Sequence, residues 1–467
     1  MRIPHTIPIE TQEVFRPSGV SLNLLGEKDR TLRAENFTWD SELPESLVTW
    51  CIRTLVSDYQ NNPLLDELLD EDRDFLLETL PIDLPLTLTV PLIPDGIYWE
   101  RCCTERWQTM NYVPHYDNSW KRLYLERDLQ EHLETLAVAE FDLDTETAIL
   151  NLCAPYVKKL NLRQLQVAKP LPMSEWGGDE CWVEPPPSDH INLEPVLKLL
   201  NQLEELHIIF GIRGCALNFT WSLFKFSVND CNNIGLGINY SQNLTVLRIH
   251  RSNLDDPRAC AILKHLAKNK TLLELDFSHC KVSDNGALAV GKIITVHPTL
   301  KRINLCNNKI GPKGVSGIAY ALQQPEGCPL EYLNLRLNLI RDEGVEDLCS
   351  GIAHSNRPQD LNLAGCGIEE KGIIKIGQLL QQSSTLHYLD LSNNHLGEVG
   401  GEALELGMNE NYTLRVLDLR MTGIPSEKEY NISKKVKQNF DKYDGVMSKQ
   451  EDILRGEMNV IASSHEG

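Results

Sequence analysis

Thirteen cysteines and thirteen histidines are the side chains best placed to bind metal, carry redox chemistry or act as nucleophiles, so their spacing is the first question. Zinc sites need thiolates or imidazoles a few residues apart. No C-x-x-C pair occurs, and the adjacent Cys102 and Cys103 do not have that spacing. H-E-x-x-H and G-x-S-x-G are absent, and so is the G-x-x-x-x-G-K-S/T loop that cradles phosphates. Asp441-Lys442-Tyr443-Asp444-Gly445 has the start of a calcium loop but lacks its carboxylate positions and terminal Glu. The expectation is therefore no catalytic, cofactor-binding or metal-binding residues, and no cofactor. An odd number of scattered cysteines without a disulfide-like framework suits a reducing compartment, with thiols acting as small buried hydrophobes.

The elements that would position functional side chains come from an internal repeat. The template L-x-x-L-x-L-x-x-(N/C/S/T)-x-L recurs from Leu244, Leu272, Leu300, Leu330, Pro358, Leu386 and Leu414, at intervals of 28, 28, 30, 28, 28 and 28 residues. Looser copies begin at Val157 and Leu203. The L-x-L core alternates at period two, as a short strand must. A glycine follows six residues after the ninth position in five consecutive units (Gly286, Gly314, Gly344, Gly372 and Gly400) and opens a run at helical spacing such as Ile373, Ile376, Leu379 and Leu380. One such unit cannot bury its own apolar stripe, so the units must stack.

Two columns follow from this stacking. The ninth position reads Ser252, Cys280, Asn308, Asn338, Cys366, Asn394 and Thr422. These are small polar side chains able to satisfy the backbone where the chain turns out of the strand, and they form a structural ladder. The outward strand positions supply a candidate partner surface: Arg248, Asp276, Asn304, Asn334, Asn362, Asp390 and Asp418, with Arg336 and Arg420 beside them. Read as solvated, Asp390 and Asp418 should tolerate charge reversal without loss of folding.

The pattern resembles the leucine-rich repeats of the ribonuclease-inhibitor family. That resemblance implies an α/β solenoid, a horseshoe of about nine strand–helix units over residues 157–424, with an insertion loop at about 168–192. Residues 1–40 read as a tail, and 41–156 as an acidic, mainly helical N-terminal domain that caps the first repeat. Within it, helices are expected from Pro44 to Tyr59, from Pro63 to Leu80 and from Ser119 to Ala139, with 81–118 irregular. Residues 425–467 read as a C-terminal helix and tail.

The chain carries a formal net charge of −21, concentrated in residues 1–156. That balance argues against a nucleic-acid or anionic-membrane partner. No apolar signal segment opens the chain, and Leu84–Ile93 is too short and too proline-rich to span a bilayer. Beyond the repeats, the layout resembles a leucine-rich-repeat subunit family of the axonemal nexin–dynein regulatory complex. The carriers are the acidic N-terminal part with its tryptophans, Trp120-Lys121-Arg122-Leu123-Tyr124-Leu125-Glu126-Arg127, the interrupted first repeats and the lysine-rich tail. The resemblance implies a non-enzymatic scaffold in the cytoskeleton of motile cilia and flagella. Its partners would be other subunits of that complex and neighbouring axonemal proteins, with no small-molecule substrate. Two alternatives stay open. Leu43-Pro44-Glu45-Ser46-Leu47 resembles the start of an F-box, which implies a ubiquitin-ligase substrate adaptor. The repeats also resemble those of Ran GTPase-activating proteins, for which Arg248, Arg302 or Arg336 would act on a bound GTPase.

Overall fold

A computed structural model describes residues 46–108, 112–165, 190–211, 224–324 and 329–463, with side chains described as far as Asp444. The tail 1–40, the first residues of the Leu43–Leu47 motif and nearly all of the insertion lie outside the described residues. The chain divides into two compact units, 1–109 and 110–467.

The first unit holds α1 (Leu47–Ser57), α2 (Asp70–Thr79), α3 (Leu86–Leu92) and α4 (Ile97–Arg106). The Ser46 hydroxyl caps α1 by accepting from Thr49 N at 3.1 Å. The second helical pattern, expected from Pro63, starts later, at Asp70. The preceding turn is held instead by Arg73, whose guanidinium donates to the carbonyls of Leu65 and Leu68, each at 3.2 Å. Asp70, Glu71 and Asp72 fill the first turn, where acidic groups suit the helix dipole. The segment 81–118, expected to be irregular, contains α3 and α4. Its prolines sit at helix ends: Pro85 is the N-cap of α3 and Pro91 lies in its last turn. The aromatic residues Tyr98 and Trp99 are buried on α4.

The second unit begins with α5 (Trp120–Thr135) and α6 (Leu143–Cys153). It continues through β1 (Lys159–Leu162), α7 (Leu193–Leu199), β2 (Glu205–Ile208), α8 (Val228–Tyr240), β3 (Val246–Ile249) and α9 (Asp256–Leu266). Then follow β4 (Glu274–Asp276), α10 (Asp284–Val296), β5 (Arg302–Asn304), α11 (Pro312–Leu322), β6 (Tyr332–Asn334) and α12 (Arg341–Ser355). The series closes with β7 (Asp360–Asn362), α13 (Glu370–Gln382), β8 (Tyr388–Asp390), α14 (Gly397–Glu410), β9 (Val416–Asp418) and α15 (Ser426–Ser463).

Among the described residues nine strands form one parallel sheet in sequence order, β1 to β9, as a leucine-rich-repeat solenoid requires. The register aligns Leu160, Leu206, Leu247, Leu275, Ile303, Leu333, Leu361, Leu389 and Leu417 in one row. The first eight are at most 2% exposed, each buried between the sheet and its own helix layer. Burying each contributes roughly 1.5–3 kcal/mol. Close stacking of the helices depends on glycine at their contacts. A Cβ on Gly377 would lie 2.5 Å from the backbone oxygen of Ala403, and one on Gly372 would lie 2.5 Å from Asp342 Oδ1.

Both ends of the sheet receive side chains from outside the repeats. On the β1 side, buried Glu126 of α5 accepts from Lys158 N and Lys159 N at 2.9 and 3.0 Å, and Glu134 accepts from Arg163 N at 2.6 Å. Strand N–H groups that have no preceding strand are thereby paired. Burial pushes the Glu126 carboxyl up, opposed by the Arg122 guanidinium at 2.8 Å and the two backbone donors. At the far end, Asn439 of α15 donates to Asn411 O and Leu414 O, both at 3.1 Å.

Candidate functional site

The outward face of the sheet takes its shape from the turns at the strand ends. In the seven regular units the residue just before the ladder position is left-handed: Arg251, His279, Asn307, Leu337, Gly365, Asn393 and Met421 have φ between 50° and 62°. Four of these, Arg251, His279, Leu337 and Met421, are neither Gly nor Asn, so the turn costs roughly 1–2 kcal/mol at each unless other bonds offset it. The ladder supplies them. Asn338, fully buried, donates from Nδ2 to Leu305 O at 2.8 Å and Leu335 O at 2.9 Å, and its Oδ1 accepts from Ile310 N at 3.1 Å. Asn308 and Asn394 repeat the pattern, donating to Phe277 O and Leu363 O and accepting from Val282 N and from Cys366 N and Ile368 N. Cys280 and Cys366 donate through sulfur to Ile249 O at 3.4 Å and Leu335 O at 3.3 Å. Burial pushes both thiols up to about 12, so they stay protonated as donors. Ser252 accepts from Phe210 N at 2.9 Å, while Thr422 donates to Leu419 O at 2.7 Å within its own turn. Apart from Thr422, each reaches back to the preceding unit.

The central column of the candidate partner surface has an internal role as well. Asp276, Asn304, Asn334, Asn362, Asp390 and Asp418 each accept through Oδ1 from the backbone N–H two residues on, at 2.8–3.1 Å. Asn304 also donates to Asp276 and Asn362 to Asp390, both at 2.9 Å. Asn334, Asn362 and Asp390 are buried. The expectation that Asp390 is solvated and freely reversible in charge is thus corrected: it is 5% exposed, because three donors hold it against the turn. Arg248 and Arg302 are engaged by Glu274, at 2.7 and 3.6 Å, while Arg336 and Arg420 are exposed. Arg420 pairs with Asp418 and holds that carboxyl below its usual range.

Sequence reasoning missed a third column. Asp256, Asp284 and Asp342, in the first turns of α9, α10 and α12, accept from backbone N–H groups of the next unit: Ser283 at 2.6 Å, Gly311 at 2.7 Å and Glu369 at 2.8 Å. The signal was present, since these aspartates lie four residues after the ladder positions in the same register. They also explain the repeated glycine, whose missing Cβ leaves room for the aspartate: at Gly314 a Cβ would lie 2.8 Å from Asp284 Oδ1.

A groove of about 770 Å³ lies on this outward face, running from Asn161 on β1 to Tyr332 on β6. Among the described residues no cluster of three or more His, Cys, Asp or Glu is arranged to hold a metal ion, and no helix is long and apolar enough to cross a membrane. What the face offers is hydrogen bonding and charge across strands about 4.8 Å apart.

A family model described as Leucine Rich repeat matches residues 268–291, 296–319, 328–349 and 382–404. The chain is 34% identical to mouse dynein regulatory complex subunit 5 over 56% of its own length and 54% of that protein's. Against the same subunit of Macaca fascicularis, identity is 34% over 63% of this chain and 59% of the relative. It therefore spans a little over half the length of these curated relatives. Among solved structures, leiomodin-1 actin-binding site 2 aligns over 49% of this chain and 95% of that one, at 16% identity and a TM-score of 0.23, too low to carry an argument.

Proposed function

We propose that this leucine-rich-repeat chain, similar to proteins named dynein regulatory complex subunit 5, is a non-enzymatic scaffold subunit of the axonemal nexin–dynein regulatory complex. In this reading it holds other subunits of the complex and neighbouring axonemal proteins in place, and so takes part in the control of ciliary and flagellar bending. The single observation that carries the proposal is the 34% identity to those subunits over more than half of the chain. The physical character of the sheet face supports it. The side chains of its central column from Asp276 to Asp418 are held by hydrogen bonds to the turns, and preorganised surfaces bind partners without a large ordering cost.

The test is location and assembly. A tagged chain expressed in ciliated cells should appear at a regular longitudinal repeat along the axoneme and co-purify with other subunits of the regulatory complex. A diffuse cytosolic or nuclear signal, or co-purification with ubiquitin-ligase core subunits in its place, would refute the proposal.

A further inference from the structure

The groove over β1 to β6 carries an unbalanced charge. Four arginines line it (Arg163, Arg248, Arg251 and Arg302) against two carboxylates, Glu274 and Asp276. This local excess of two positive charges stands in a chain whose net charge is −21. Both carboxylates are already used. Glu274 binds Arg248 at 2.7 Å and faces Arg302 at 3.6 Å, and Asp276 accepts from Ser278 N and from Asn304 Nδ2. Arg163 and Arg251 are exposed and make no ion pair among the described residues. His250, on the same wall, has a buried Nδ1 with no hydrogen-bond partner among the described residues. The groove thus presents cationic and polar groups whose internal acceptors are spent.

We propose that this groove is a docking site for an extended, carboxylate-rich peptide segment of a partner protein. The dimensions fit such an occupant. Six strands give five spacings of about 4.8 Å, or roughly 24 Å, the length of about seven residues at ~3.3 Å each. Alternate side chains of an extended peptide point the same way, so three or four carboxylates would face the groove, close to its number of arginines. A nucleic acid fits less well. Single strands bind chiefly by stacking bases on aromatic rings, and Tyr332, the aromatic ring in the lining apart from the histidines, already carries Arg302 stacked at 4.3 Å. This inference goes beyond the assembly role by naming a partner chemistry. It is decided by binding in dilute solution, whereas the assembly role is decided by location in the axoneme, so either can fail while the other stands.

The experiment titrates the 467-residue chain against a fluorescein-labelled alternating Glu-Ser octapeptide, read by anisotropy, with Gly-Ser and Lys-Ser octapeptides alongside. The Glu-Ser peptide should bind in preference to both and weaken steeply with added salt. Arg163→Glu with Arg251→Glu should weaken it about tenfold or more, while Lys292→Glu with Lys313→Glu, exposed on α10 and α11, should change it by less than about twofold. Circular dichroism confirms that each variant is folded, and Arg163→Lys with Arg251→Lys should retain most of the binding. Equal weakening by both reversals, no preference over Gly-Ser, or tighter binding of a uridine octanucleotide would overturn the proposal.

Discussion

Replacing Asn338 with Ala removes a side chain whose hydrogen bonds are known one by one, so the cost can be worked out in parts. The Ile310 N–H loses its acceptor in a fully buried position, a loss of about 1–3 kcal/mol. Leu305 O and Leu335 O each lose one of two partners. Leu305 O keeps the Nδ2 of Asn308 at 2.9 Å and Leu335 O keeps the Cys366 thiol at 3.3 Å. Those losses are partial, roughly 0.5 kcal/mol apiece, which brings the expected total to about 2–4 kcal/mol. Urea unfolding followed by circular dichroism reads the total, and hydrogen exchange at the Ile310 amide reads the local part. Because Asn308 and Asn338 share Leu305 O, the double Ala variant should cost more than the sum of the singles, by about 1 kcal/mol. A single-variant cost below about 0.5 kcal/mol, or strict additivity of the pair, would refute the shared-acceptor reasoning.

Other perturbations test other parts of the array. Asp390→Lys places an unmatched cation where three donors converge on a carboxylate and should destabilise by about 3–5 kcal/mol, whereas Asp418→Lys on the last strand should cost far less; paired urea melts compare them. Gly377→Ala should destabilise despite alanine's better helix propensity, worth about 1 kcal/mol. The added methyl meets the Ala403 carbonyl of the next helix, and thermal unfolding would show a lower midpoint. Contact with His207 and then the Lys159 ammonium at 2.8 Å hold the Glu205 carboxyl down to about 2. Its contribution to stability is therefore complete above the ordinary glutamate value of 4.5 and is lost as pH falls toward about 2. Glu205→Gln should reduce the acid sensitivity of folding across that window; identical pH profiles for the two proteins would contradict the assignment.

The repeat was legible because its constraint is local. A leucine between two sheet neighbours must recur at a fixed interval, and Leu247, Leu275 and Ile303 declare that interval directly. The nine-stranded leucine-rich-repeat solenoid follows from it. Polar side chains were harder to read, because residue type does not tell which way a carboxylate's bonds run. Asp390 looks like a solvated strand residue until its Ser392 and Asn362 donors are seen. The forward-reaching aspartates were visible as a period but not as a bond. The helical N-terminal parts were least legible. Nothing about Glu126 or Glu134 on an amphipathic helix announces that each will accept from a strand far along the chain. The prolines around α3 imitate irregular structure while merely marking its ends.

Ladder side chains reach backward to one neighbour and, at Asp256, Asp284 and Asp342, a first-turn aspartate reaches forward to the next, so such an interior unit leaves its joints filled and contains no instruction to stop. The count must be imposed from outside, by α5 with its two glutamates at one end and by α15 with Asn439 at the other. Adding or deleting an interior unit would then change the distance between these terminal helices while leaving the joints away from the change intact. Length in such a molecule is a ruler setting, and the two closing helices are its end stops.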